Sequence, residues 1–231
     1  MSVQTIQIPR TLPVIHLNNT VMFPYLVMPL VIKDKSFKKA IEYALANDKL
    51  LGVFLNKRNS KNPDDIDIYE YGTAVSIINV ERGPSGAITL LMQGVSRIRI
   101  EKITQKEQFI KVKVNSVHES NKRSSELKAL RNIATVFAHK IIEQSLPSIS
   151  SSSSDLESIK QSNELADVIA GYLPLEISHK QELLETSDLV KRYKKLNLFL
   201  AGLNEKMELK NDDFDYTLLD TDKDKDLFTL G

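Results

Sequence analysis

The chain has 231 residues, of which 42% are hydrophobic and 26% charged, and it contains no cysteine. That length admits one or two domains, and that composition excludes a disordered chain, disulfides, thiolate catalysis and cysteine-ligated metal centres. Lys+Arg 31 against Asp+Glu 30 leaves a formal net charge of +1, a balance unsuited to a dedicated polyanionic partner such as bulk nucleic acid or an anionic membrane.

Residues 1–10 lack the apolar core of a secretory signal. The longest apolar stretch, residues 21–32, carries two prolines and falls well short of the roughly 20 residues a membrane span needs. A soluble, cytoplasmic protein with no membrane partner is expected. Residues 12–17 predict a short strand. Residues 25–32 form a continuous apolar run with β-branched members, which predicts a strand buried on both faces. Pro24 and Pro29 suit a strand start, an edge or a bulge.

Residues 35–46 predict a helix, because Phe37, Ile41, Ala44 and Leu45 share one stripe. A buried strand follows at 50–56, a loop holding Pro63 at 59–67, and a long strand at 71–81. Arg82-Gly83-Pro84-Ser85-Gly86 reads as a hairpin connection. The return strand covers 88–92, and Gly94 breaks it before another strand at 95–103. Residues 109–117 alternate, with Ile110, Val112 and Val114 on one face and Lys111, Lys113 and Asn115 on the other. Residues 1–118 thus predict a small, mostly antiparallel β-barrel plugged by one helix, and the chain as a whole an α+β fold.

Residues 119–210 predict an α-helical bundle. In a helix at 126–145, Leu127, Leu130, Ala134, Phe137 and Ile141 recur at three and four. The serine run at 150–154 predicts a flexible loop. A second helix at 163–173 turns Leu165, Val168, Ile169 and Tyr172 inward, and Pro174 ends it. Ser178 and Gln181 form a capping-box pattern that opens a short helix through Glu185. Ser187 is expected to cap the last helix, with Asp188 well placed for its dipole. There Leu189, Tyr193, Leu196, Leu200, Leu203 and Met207 repeat at 4-3-4-3-4. This seam either packs on the 126–145 helix or faces a partner, in which case Leu196, Leu200, Leu203 and Met207 are the contact and a homo-oligomer is one outcome. Residues 211–231 hold seven Asp and two Lys, a formal charge of −5. Acids alternating with apolar residues predict a disordered tail, either a docking segment or simply solvated.

Chemistry-bearing motifs are scarce. The spacing of the eight glycines allows neither a phosphate loop nor a dinucleotide turn. No two of His16, His118, His139 and His179 stand at metal-pair spacing. Two Ser-x-x-Lys matches, at Ser36 and Ser125, are what chance supplies. The inventory predicts no catalytic residue, no cofactor and no metal.

The order of residues resembles a known family. Leu12-Pro13-Val14-Ile15-His16-Leu17-Asn18-Asn19-Thr20-Val21-Met22-Phe23-Pro24 is similar to the opening of the Lon protease N-terminal domain, L-P-L-x-P-L-R-[DN]-x-V-x-F-P. Met28-Pro29-Leu30, Tyr69-Glu70-Tyr71-Gly72-Thr73-Ala74, Gln93-Gly94-Val95-Ser96-Arg97, Leu165-Ala166-Asp167, Leu173-Pro174-Leu175 and Lys180-Gln181-Glu182-Leu183-Leu184 continue the likeness over about residues 10–210. Asn18 stands where the family usually has Arg, and the acidic tail is not the family's continuation. The resemblance implies a PUA-like β-barrel followed by a helical bundle, a region that recognises substrates and supports hexamer assembly. The ATPase and Ser-Lys peptidase parts of the family lie outside the sequence, which implies a stand-alone, non-enzymatic module.

The function expected is binding of unfolded or hydrophobic polypeptide segments, as an adaptor or regulator of a full-length Lon-type protease or as its competitor. Pliable apolar side chains suit that task. Met22, Tyr25 and Met28, flanked by Lys33, Asp34 and Lys35, are the candidate contacts. The alternative from another class is RNA binding, since PUA-like barrels elsewhere bind RNA. It would use Arg97, Arg99, Lys111 and Lys113 as a basic face beside Phe109, Tyr69 or Tyr71. With few stacking aromatics near those cations, nucleic acid is the less favoured partner.

Overall fold

The computed structural model describes residues 6–32, 34–57, 67–83, 88–120, 124–145 and 154–219, with the side chains at 35, 36, 145, 154, 155 and 210–219 outside that description. Among the described residues there are six strands: β1 (Thr11–Leu17), β2 (Val27–Ile32), β3 (Leu50–Asn56), β4 (Ile68–Arg82), β5 (Ile88–Gln105) and β6 (Lys111–Ser116). They pair in the order β2-β5-β4-β3-β1-β6, and a further β5–β6 pairing closes five of them into a ring. All pairings are antiparallel except β1–β3, which is parallel. β2 is left as an extra strand on the outer edge of β5.

Alternation along the strands separates two apolar clusters, as a period of two requires. Leu12 and Val14, Leu50 and Phe54, Ala74, Ile98, Val112 and Val114 form one, drawn from all five strands of the ring. The opposite faces carry the solvated Arg99 and Lys113, so this cluster is the barrel interior. The helix α1 (Lys35–Leu45) places Ile41 and Ala44 with Ile15, Leu51 and Val53 of the other cluster. It therefore covers the outside of β1 and β3 rather than plugging the barrel. A plug is unnecessary because Phe54 already fills the space that Gly52 and Gly72 leave open.

β2 departs from the expected strand buried on both faces. Val27 and Val31 are exposed, and Met28 and Leu30 are half-buried. An apolar run looks the same whether one face is covered or two, and Pro29 is tolerated because the strand is an edge. Gly94 does not break β5, which continues through it. Val75 pairs Gly94 and Ala74 pairs Ser96, leaving Val95 as an extra residue in a bulge. β4 and β5 pair as far as Arg82↔Ile88. The expected turn residues 84–86 and most of the 59–67 loop lie outside the described residues.

The helices that follow are α2 (Ser125–Ser145), α3 (Ser154–Ser158), α4 (Ser162–Tyr172), α5 (Ile177–Glu185) and α6 (Leu189–Leu219). Positions 150–153 of the serine run lie outside the described residues. Leu127, Ala134 and Ile141 of α2 are buried with Leu196 and Leu200 of α6 in the larger cluster. Two caps differ from expectation. Glu176, not Ser178, is the N-cap of α5, with no side-chain bond, so Ser178 falls inside the first turn. At α6 it is Asp188, not Ser187, that caps, its Oδ1 accepting the Lys191 N–H at 2.9 Å. α6 also runs on to Leu219, so residues 211–219, expected as the start of a disordered tail, continue the helix. Positions 220–231 of the acidic tail lie outside the described residues. No helix among the described residues is long and apolar enough to cross a membrane.

Candidate functional site

The barrel and the helices meet at a buried group of charges. Arg97 of β5 donates to Asp167 of α4 in a bidentate pair, Nη1 to Oδ2 at 2.7 Å and Nη2 to Oδ1. Its Nε donates to the Leu184 carbonyl at 3.1 Å. Arg192 of α6 lies 2.6 Å from Glu119 and 3.3 Å from Asp167. Glu119 also accepts from Arg97 and, at 3.0 Å, from the Asn163 amide. Burial opposes the charge on Glu119, yet the Arg97 and Arg192 guanidiniums outweigh it and hold its carboxyl below the usual range. The sequence hint for this junction was an acid, Asp167, set among Leu165, Ala166 and Ile169 on an otherwise apolar stripe.

The junction fixes the segment that precedes β2. Tyr25 has φ 68, in the left-handed region, and its hydroxyl accepts from the Asn163 amide at 2.8 Å. Its backbone N–H donates to the Gly94 carbonyl at 2.9 Å, and the Gly94 N–H donates to Leu26 at 2.8 Å. A Cβ at Gly94 would sit 2.0 Å from the Phe23 carbonyl oxygen, so only glycine admits this crossing. A Cβ at Gly171 of α4 would likewise meet Leu26. Tyr172 therefore emerges beside this segment, 63% exposed rather than turned inward. Exposed apolar side chains thus stand at Tyr25, Val27 and Val31 along β2 and at Tyr172 next to the Gly171–Leu26 contact, and the outer edge of β2 pairs with no strand among the described residues.

The candidate contacts separate. Met22 belongs to the core at 2% exposure, because Thr73 holds the segment down by donating its hydroxyl to the Met22 carbonyl at 2.6 Å. Tyr25 is exposed and Met28 half-buried. Asp34 follows β2 and so stands a strand's length, roughly 20 Å, from Tyr25. Lys33 lies outside the described residues, as does the Lys35 side chain. In the helical seam, Leu196 and Leu200 are fully buried and face α2, whereas Leu203 and Met207 are only half-buried.

Leu203 and Met207 instead line a groove of about 640 Å³ between α5 and α6. His179 and Phe199 stack across it, ring centroids 3.9 Å apart at 7°. Leu198 and Leu209 stand on its rim, and Pro174 and Leu175 complete its far wall.

The four cations considered for RNA do not form an open basic face. Arg97 is buried in the junction. Arg99 pairs with Glu70 at 2.8 Å and Lys113 with Glu101 at 2.8 Å. Lys111 lies 3.9 Å from the Tyr43 ring centroid. Among the described residues, no group of three or more His, Cys, Asp or Glu could hold a metal ion.

Residues 11–202 match a family model described as the ATP-dependent protease La (LON) substrate-binding domain. The Lon protease of Dictyoglomus thermophilum is 31% identical over 211 residues, 90% of this chain and 26% of that protein. Lon protease 2 of Myxococcus xanthus is 32% identical over 205 residues, 87% of this chain and 24% of that protein. The chain thus spans about a quarter of the length of these curated relatives. Among solved structures, the N-terminal domain of the Mycobacterium avium complex Lon protease superposes with a TM-score of 0.67 at 22% identity, covering 83% of this chain and 98% of that one. A Lon N-terminal domain protein from Xanthomonas campestris gives 0.60 at 17% identity, covering 80% and 96%. Both are likenesses of fold.

Proposed function

The chain belongs to the LON substrate-binding domain family, and from that premise we propose that it is a non-catalytic module that binds unfolded or apolar polypeptide segments. The observation that carries this reading is the exposure of Tyr25, Val27 and Val31 along the edge strand β2, with Tyr172 exposed next to the Gly171–Leu26 contact. Scattered apolar residues on a surface mean little, but apolar side chains on an edge strand with no further strand partner among the described residues suit an extended chain. Main-chain pairing supplies sequence-independent affinity, and the side chains select apolar over polar segments. A fixed end favours this use: the Gly94 crossing and the Asn163 amide hold Tyr25 in place, so little order is lost on binding. In the cell the module acts beside a Lon-type ATP-dependent protease, as an adaptor or regulator that holds a client.

The test is fluorescence anisotropy with labelled, permanently unfolded casein in the absence of nucleotide. Saturable binding is expected, with no cleavage of the probe. Val27→Asp and Tyr172→Asp should each weaken it about tenfold while leaving the circular dichroism spectrum unchanged. Equal binding of a native globular protein, or indifference to both substitutions, would overturn the reading.

A further inference from the structure

Gly202 lies in the interior of α6 and lines the α5–α6 groove. Glycine there weakens a helix relative to alanine. Nothing among the described residues requires it: its backbone is not left-handed, and a Cβ built on it meets none of their atoms outside its own helix backbone within 4 Å. A glycine that no internal contact explains, on an apolar groove, leaves room for a backbone from outside. The lining part of α6, from Leu198 to Leu209, is about three turns or roughly 17 Å long. Its exposed apolar side chains follow helical spacing. The groove also carries two opposite charges, Glu176 and Lys206, neither of which forms an ion pair among the described residues. Apolar length, a small residue at the centre and unmatched charges are what a helix in a groove needs.

We propose that this groove docks an amphipathic α-helix of a protein partner, whose backbone crosses α6 at Gly202 and whose acidic side chain meets Lys206. The partner chemistry is a three-turn helix with apolar anchors at i, i+4 and i+7, flanked by an acid on the Lys206 side and a base on the Glu176 side. This is a second surface, separate from the β2 edge, and it selects helical rather than extended segments. The proposal stands apart from the function above, and failure of one leaves the other intact.

The test uses the full chain and two fluorescein-labelled 16-residue peptides of identical composition. In one, leucines are at helical spacing with Glu and Lys flanks; in the other, the order is scrambled. Anisotropy should show the helical peptide binding at least about tenfold more tightly than the scrambled one. Gly202→Leu should lose that binding by about tenfold with a thermal melt equal to or above the parent's, since the open space admits the side chain and the helix no longer carries an interior glycine. Lys206→Glu should also weaken it, and a peptide with Glu exchanged for Lys should restore it. Val27→Asp should leave it unchanged. The proposal is overturned if the two peptides bind alike, if Gly202→Leu binds as tightly as the parent, or if no saturation occurs by about 1 mM. It is also overturned if sedimentation shows a dimer that Gly202→Leu abolishes, since the occupant is then a second copy of this chain.

Discussion

Arg97 and Asp167 form a bidentate ion pair in which neither partner reaches solvent: the arginine is 2% exposed and the aspartate 0%. One comes from a barrel strand and the other from a helix, 70 positions apart, so this pair and its neighbours tie the two halves together. Removing one member leaves the other buried with only part of its compensation, Glu119 for Arg97 or the Arg192 guanidinium at 3.3 Å for Asp167, which costs more than the pair itself contributes. Arg97→Met alone, or Asp167→Leu alone, should lower the unfolding free energy by about 3–5 kcal/mol. The double substitution should cost clearly less than the sum of the two. Urea denaturation of the three variants checks this, and strict additivity would contradict it.

Gly94 supports the β2 edge through its crossing with the segment at 23–26. Alanine there would put a methyl group 2.0 Å from the Phe23 carbonyl, against backbone that cannot swing away. Gly94→Ala is expected to cost about 2–4 kcal/mol and to raise hydrogen exchange at Tyr25 and Leu26. A thermal melt within a degree or two of the parent would show the crossing to be looser than described.

The seam residues of α6 are expected to divide. Leu196 is fully buried against α2, so Leu196→Asp places an unpaired charge in the core. It should cost about 4 kcal/mol or more and unfold the helical half. Leu203 is half-buried on the groove, so Leu203→Asp should leave the fold intact. Circular dichroism at 222 nm separates the two, and equal effects would contradict the burial difference.

A pH dependence follows from His16, which lies edge-on to Phe37 at 4.8 Å. Burial, the largest influence, lowers its pKa from 6.5, while the charge of Asp34 and a hydrogen bond with Asn56 act in the opposite direction without winning. The folded state therefore binds the proton less readily than the unfolded chain. The stability this confers is complete above the unfolded value near 6.5 and is lost as pH falls through the lower folded value. The urea midpoint should decline on acidification below about pH 6.5, and His16→Gln should flatten that decline. An identical slope in the variant would exclude His16 as its source.

Much of the fold was legible locally. Leu127, Ala134 and Ile141 recur at one face of a helix, and Val112 and Val114 alternate in a strand; both sets are buried as that spacing predicts. The apolar run ending at Ile32 was legible as a strand but not as an edge, because hydrophobicity does not record how many faces a neighbour covers. Tyr172 fell on the inward stripe of its helix and still emerged, because Gly171 sits against Leu26 and the helix ends there. Of the expected contacts, Tyr25 reached the surface and Met22 did not, although only Phe23 and Pro24 lie between them. The hydrogen bond from Thr73, 51 positions away, made that difference.

Taken alone, the residue order determined the strand and helix types, the sequence of a barrel followed by helices, and the family likeness. Each of these rests on spacings of two, three or four residues, or on short ordered motifs, which are properties of neighbours along the chain. Tertiary structure alone decided which apolar side chains stay exposed along β2, where the groove beside Gly202 lies, and which charges are consumed by partners. Burial and pairing depend on segments brought together from distant positions, and the energy of a buried charge depends on what meets it there.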